Sequence, residues 1–149
     1  MRPTLQTYLL ELAKVAATRA TCSKRQVGAV IADTAKQIIA VAYNGVPAGQ
    51  PHCIDVPCKG LTMQAPASHQ ACRAVHAEAN ALLQAGRAAR GGTMAITTTP
   101  CLECAKLIAN SGITSLIVGE INRLWDSEEL GVSPATIIKL AGIAVVYSE

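Results

Sequence analysis

The 149 residues predict an α/β protein built as a three-layer α/β/α sandwich in a single domain, 1–149. Three observations lead there. Half of the residues are apolar and 15% are charged, a balance that buries a core without disulfide staples and leaves little room for disorder. Apolar periodicity switches repeatedly between the helical and the strand repeat. After an opening helix and two strands, helices and strands alternate to the end of the chain, which indicates a mainly parallel sheet covered on both faces.

The elements follow in order. Leu5, Tyr8, Leu9, Leu12, Val15 and Ala16 recur at helical spacing and give an amphipathic helix over about 4–20. Residues 27–33 and 37–43 are β-rich runs joined by Thr34-Ala35-Lys36, a hairpin. Both runs are apolar at nearly every position, which predicts burial on both faces. From Asn44 to about His69 the pattern breaks into a long loop punctuated by Gly45, Pro47, Gly49, Pro51, Pro57, Gly60 and Pro66. A loop of that length in a compact domain is functional or held by something. A helix over 75–85 stops at Gly86, and a strand covers 93–99. Pro100 opens the next helix, which runs to Gly112. A strand at 113–118, a helix capped by Ser133 with Pro134 in its first turn, and a last strand at 143–147 complete the order.

Composition removes several function classes. Net charge is +3, from 13 Lys+Arg against 10 Asp+Glu, and aromatics are 3% with no Phe. That is neither a tail-driven nucleic-acid binder nor a base-stacking platform. No apolar run is long enough to span a bilayer, and Glu11 and Lys14 interrupt the opening helix where a signal peptide would be continuously apolar. The expected compartment is the cytoplasm, where six cysteines read as ligands or catalytic groups rather than disulfides.

Their placement sharpens that reading. His76-Ala77-Glu78 opens one helix and Pro100-Cys101-Leu102-Glu103-Cys104 opens the next. One imidazole and two thiolates make a three-ligand zinc site with a fourth position open to water, where a purely structural zinc takes four protein ligands. The positive end of the helix dipole favours thiolate at Cys101 and Cys104. Both motifs fall beyond the carboxyl ends of strands, where open α/β sheets bind ligands. Glu78 lies about 200° around the helix from His76, from 3.6 residues per turn, so it faces the open position rather than chelating beside the imidazole. Each piece alone has a plainer reading: a CxxC can be a redox pair, an HxE can be coincidence. Together they form the H-x-E…P-C-x-x-C signature of zinc deaminases.

On these motifs the chain resembles the cytidine/deoxycytidylate deaminase superfamily, and within it the deoxycytidylate (dCMP) deaminases of bacterial and phage type. The stretches T-C-S-K-R-Q-V-G-A-V from Thr21, A-Y-N-G-V-P-A-G from Ala42, V-H-A-E-A-N-A from Val75 and P-C-L-E-C-A-K-L-I from Pro100 carry the likeness. It implies a cytidine deaminase-like fold with a mixed sheet of about five strands. It implies that His76, Cys101 and Cys104 hold a catalytic Zn2+ and that Glu78 moves protons while dCMP is hydrolysed to dUMP and ammonia, supplying dUMP for dTMP synthesis. It implies substrate contacts from Asn44 to the deoxyribose and base region, and from Lys24, Arg25 and Arg123 around the 5′-phosphate. In a loop, such cations are equally solvated surface, and Asn44-Gly45 is equally a turn. Related enzymes often carry a Tyr near the last of these cations; here the neighbours are Asn122, Leu124 and Trp125.

The resemblance also implies a second, structural zinc. Cys22 and Cys53 match ligand positions, His69 is a third candidate, and Cys58 or Cys72 the fourth; the plainer reading is buried free thiols packing as small hydrophobes. Hexameric assembly and regulation by dCTP and dTTP near residues 45–49 are further expectations of this likeness. Competing functions are deamination of free cytidine or deoxycytidine, of modified dCMP or of a tRNA adenosine, and a non-catalytic, zinc-stabilised nucleotide-binding module. Low charge counts against tRNA, the candidate phosphate cations against a free nucleoside, and Glu78 against a module without turnover.

Overall fold

A computed structural model of the chain describes residues 1–64, 67–129 and 131–148. The opening helix, α1 (Leu5–Ala17), is capped by Thr4, whose hydroxyl accepts from the Thr7 N–H, and ends at Thr18. It stops about a turn short of the expected end. The hairpin strands are β1 (Gly28–Ala32) and β2 (Ile38–Tyr43). Its turn contains Lys36 at φ 64°, and the Asp33 carboxylate accepts from the Ala35 and Gln37 N–H groups. The long loop contains a 3-10 turn (Lys59–Thr62) and a short helix, α2 (Ala67–Ala71), which the Gly/Pro spacing does not announce. Then come α3 (Ala77–Ala85), β3 (Thr93–Thr98), α4 (Leu102–Ser111), β4 (Ser115–Glu120), α5 (Pro134–Leu140) and β5 (Ala144–Tyr147). Ser133 caps α5 and Pro134 stands in its first turn, as the sequence predicts. Strand β4 starts two residues later than expected, because Ile113 and Thr114 belong to the connection after Gly112, a left-handed C-cap at φ 84°. Among the described residues no helix is long and apolar enough to cross a membrane.

The sheet order is β2-β1-β3-β4-β5. Strand β1 runs antiparallel to both neighbours, while β3, β4 and β5 are parallel. The mainly parallel sheet read from the alternation is therefore corrected to the mixed, five-stranded sheet that the resemblance implies. Alternation of side chains along the strands splits the core in two. Ala29, Ile31, Met94, Ile96, Leu116 and Val118 face the layer of α3, α4 and α5, whereas Val30, Ala32, Ala95 and Ile117 face α1. Burial on both faces holds for β1 but not for β2. As the edge strand, β2 turns Ile38, Val41 and Tyr43 outward, and its free edge is hydrogen-bonded by side chains of α3: Gln84 Oε1 accepts from Val41 N–H, and Asn80 Nδ2 donates to Tyr43 O.

Small residues set how closely α1 lies on the sheet. Ala13, Ala16 and Ala17 continue the buried stripe that begins at Leu9 and Leu10, and the Ala13 carbonyl sits directly above Gly28. A Cβ at Gly28 would lie 1.8 Å from that carbonyl oxygen. Backbone on both sides cannot yield cheaply, so Gly28→Ala is expected to cost about 3 kcal/mol or more in denaturant unfolding. A loss under about 1 kcal/mol would show that α1 is free to shift.

Candidate metal centre

The two parallel crossovers into α3 and α4 bring their helix starts together at the carboxyl end of the sheet. His76 is the N-cap of α3 and Cys101 the N-cap of α4; both have extended backbone, and neither side chain caps its own helix. Pro100 stands one residue outside that cap, buried, so it fixes the entry to α4 rather than opening the helix as expected. Freed from capping, the two side chains turn toward Cys104 on the first turn of α4. His76 Nδ1 lies 3.4 Å from each sulfur. The three donor atoms fall within 4.8 Å of one another, the only such group of three or more His, Cys, Asp or Glu side chains among the described residues.

The chemistry of this set fits a divalent cation. The Cys101 thiol is pulled down to about 3 by hydrogen bonding with Cys104 and then with His76, against its burial. Cys104 is pushed up by the same hydrogen bond, by burial and by Glu78. The sulfur pair thus holds one proton between two sites, and a cation that replaces it satisfies both as thiolates. His76 is shifted up, chiefly by its hydrogen bond to Cys101. Glu78 is 4% exposed, and burial raises its pKa; its carboxyl interacts with the Cys104 thiol.

Glu78, His76 and Cys101 line a cavity of about 590 Å³. The other predicted substrate residues, Lys24, Arg25, Asn44 and Arg123, line it too. Their side chains are already engaged. Asn44 Oδ1 accepts from Val27 N–H at 2.8 Å and its Nδ2 donates to Arg25 O at 3.0 Å. Lys24 Nζ donates to the carbonyls of Gly60, at 3.1 Å, and Met63, tying the 3-10 turn to the start of the sheet. Arg25 Nη2 donates to Thr98 Oγ1, and Arg123 Nη1 to Glu129 Oε1 at 3.4 Å. Asn122 and Leu124, the neighbours of Arg123, share the cavity wall with Thr98 and Thr99, two residues that the sequence reading did not name. The run Thr97-Thr98-Thr99 at a strand end just before Pro100 is the signal that could have found them.

The His69 ring packs edge-on against His76, centroids 5.5 Å apart, and burial lowers its pKa. It lines the same cavity as Cys22 and the loop cysteines Cys58 and Cys72. Cys58 neighbours both Cys53 and Cys72, and the charge of Cys22 is felt by both. Burial raises the thiols of Cys53 and Cys72; burial also works on Cys58, but hydrogen bonds from the Gly60 and Arg73 backbone and from Cys53 pull it down. These four sulfurs do not close to the spacing of the first group.

Residues 3–120 match the model of the cytidine and deoxycytidylate deaminase zinc-binding region. A deoxycytidylate deaminase of Mycobacterium phage D29 is 38% identical over 123 residues, covering 78% of this chain and 94% of that protein. That of Saccharomyces cerevisiae is 36% identical over 147 residues, covering 97% of this chain, which spans only 45% of the yeast protein's length. The crystal structure of dCMP deaminase from the cyanophage S-TIM5 in complex with dCMP and dUMP superposes with a TM-score of 0.78 at 22% identity, covering 99% of each chain, and shares the fold. The chain belongs to the cytidine and deoxycytidylate deaminase family.

Proposed function

We propose that this chain, as one domain over 1–149, is a zinc-dependent hydrolase converting dCMP to dUMP and ammonia, a supply of dUMP for dTMP synthesis. The observation that carries the reading is that an imidazole and two sulfurs converge, and that the imidazole and one of those sulfurs line a cavity together with a buried carboxyl. His76, Cys101 and Cys104 would hold the zinc, which when bound polarises water so that it becomes a nucleophile near neutral pH. Glu78 accepts a proton from water as the oxygen adds to C4 of the cytosine, delivers it to N3, and carries a second proton, from the hydroxyl now on C4, to the amino group as the C4–N bond breaks and the C4 carbonyl forms. Burial raises its pKa, which makes the carboxylate a stronger base for the first transfer and lets it keep the proton until delivery. The Asn44 carboxamide retains one N–H for the deoxyribose beyond its backbone bonds, and the Lys24 ammonium one N–H beyond its two carbonyls. Lys24, Arg25 and Arg123 supply the cations for a 5′-phosphate.

Loss of cytosine absorbance with dCMP, deoxycytidine and a tRNA anticodon stem tests the reading. Turnover of dCMP well above the other two is the expected result. Preference for the nucleoside or the RNA would move the chain to another substrate within the family, and zinc binding without turnover of any would make it a nucleotide-binding module.

A structural zinc on Cys22 and Cys53, with His69 and Cys58 or Cys72 completing the set, extends the proposal. It would draw these side chains closer than they lie and so hold the Gly/Pro loop. The expected content is about two zinc ions per chain, falling to about one in Cys58→Ser, counted by atomic absorption. One ion in both proteins would leave these cysteines as buried thiols. A homo-oligomer, a hexamer by family likeness, is supported by the apolar residues Leu83, Leu107 and Leu140 exposed on the α3–α5 layer. Effector binding of dCTP or dTTP near 45–49 is supported by the bridge between Gly45 and Val75, the residue before His76. The free cysteines suit a reducing cytoplasm.

A further inference from the structure

We propose that Thr98 is a positioning residue that aims the Arg25 guanidinium at the substrate 5′-phosphate and thereby sets the preference for a nucleotide over a nucleoside. The inference rests on the reading of Arg25 as a phosphate contact.

Arg25 lies in the irregular segment between α1 and β1, where a long side chain would ordinarily sample many rotamers. Here it is held at both ends. Its carbonyl accepts from Asn44 Nδ2 at 3.0 Å, and its Nη2 donates to Thr98 Oγ1 at 3.0 Å. Thr98 is 7% exposed and closes β3 in register with Glu120 of β4, so its hydroxyl is fixed by the sheet. The same strand end leads through Pro100 to Cys101. The guanidinium is thereby set at a defined distance from the candidate metal centre.

The choice of residue is informative. A carboxylate at this position would orient the arginine but cancel its charge. A neutral hydroxyl takes one N–H and leaves the remaining donors of the fork, and the full positive charge, for a bidentate anion. Orientation established before binding lowers the ordering cost when phosphate arrives. The effect therefore belongs to substrates that carry a phosphate.

The test is the ratio of kcat/KM for dCMP to that for deoxycytidine, measured in wild type, Thr98→Val, Thr98→Ser, Arg25→Ala and the Arg25→Ala/Thr98→Val pair, each checked for zinc content and thermal melting. Thr98→Val is expected to lower the ratio about tenfold, through KM for dCMP, and Thr98→Ser to keep it within about twofold. In the Arg25→Ala background, Thr98→Val is expected to have no further effect, because the hydroxyl acts only through the guanidinium. An unchanged ratio in Thr98→Val, equal losses in the Val and Ser variants, or additive losses in the pair would each overturn the positioning role while leaving Arg25 as a phosphate contact. An unchanged ratio in Arg25→Ala would overturn the phosphate reading and the positioning role with it.

Discussion

Replacing Glu78 by Gln is expected to lower dCMP turnover by about 10³-fold while zinc content and dCMP binding persist. The substitution keeps the shape of a side chain that is 4% exposed and removes only its capacity to carry a proton. The reaction moves protons between water, N3 and a leaving amine, and Glu78 is the carboxyl that shares a cavity with His76 and Cys101. Steady-state rates with dCMP, equilibrium binding of dCMP and a zinc count on the same preparation read the three quantities separately. Activity within about tenfold of wild type would move the proton-transfer role elsewhere. Loss of zinc along with activity would instead make Glu78 a support of the metal centre.

The same residue makes a stability prediction with a definite sign. Burial raises the Glu78 pKa in the folded protein above its unfolded value, so folding favours the protonated form. Its contribution is most favourable below the ordinary carboxylate range and is lost as pH rises through the raised folded value. Metal-free Glu78→Gln, which cannot ionise, is therefore expected to melt above metal-free wild type at neutral pH, with the gap closing as pH falls through the carboxylate range. A gap that widened toward acid would contradict the raised value.

Local patterns announced most of these elements, and non-local pairing accounts for what they missed. Ser133 and Gly112 declared helix ends because capping is a matter of a few adjacent residues. The position of β2 at the sheet edge is decided by which strand pairs with β1 on its other side, and no run of residues within β2 carries that information. Its Val41 and Tyr43 look like core residues and are instead exposed. The metal group was legible because both motifs sit at helix starts after strands, so chain order alone brings them to one end of the sheet. The substrate cations were legible as residue types but not as geometry. Lys24 bonds to carbonyls of Gly60 and Met63, more than thirty residues away, and Arg25 to Thr98, which lies in another strand. His69 illustrates the same limit. Its edge-on contact with His76 depends on the short helix α2, which no local pattern announced.

Cys104→Ala is expected to weaken zinc binding by more than about 100-fold and to abolish turnover with it. Loss of a group that merely orients a ligand costs about 10–100-fold in metal affinity, and Cys104 is argued to be a ligand itself. Removing its sulfur leaves two donors, Cys101 and His76, where an open catalytic zinc needs three. Glu78, whose carboxyl interacts with the Cys104 thiol, would offer at most a harder oxygen donor in place of the sulfur. Zinc titration against a competing chelator measures the affinity, and the proton released per zinc bound gives an independent readout. In wild type, zinc displaces the proton that Cys101 and Cys104 hold between them, so loading releases it to buffer. In the variant, Cys101 stands alone, and with the sulfur pair broken the release per zinc changes along with the affinity. Zinc affinity within about tenfold of wild type, with turnover intact, would remove Cys104 from the metal centre and undo the three-donor site on which the deaminase reading stands.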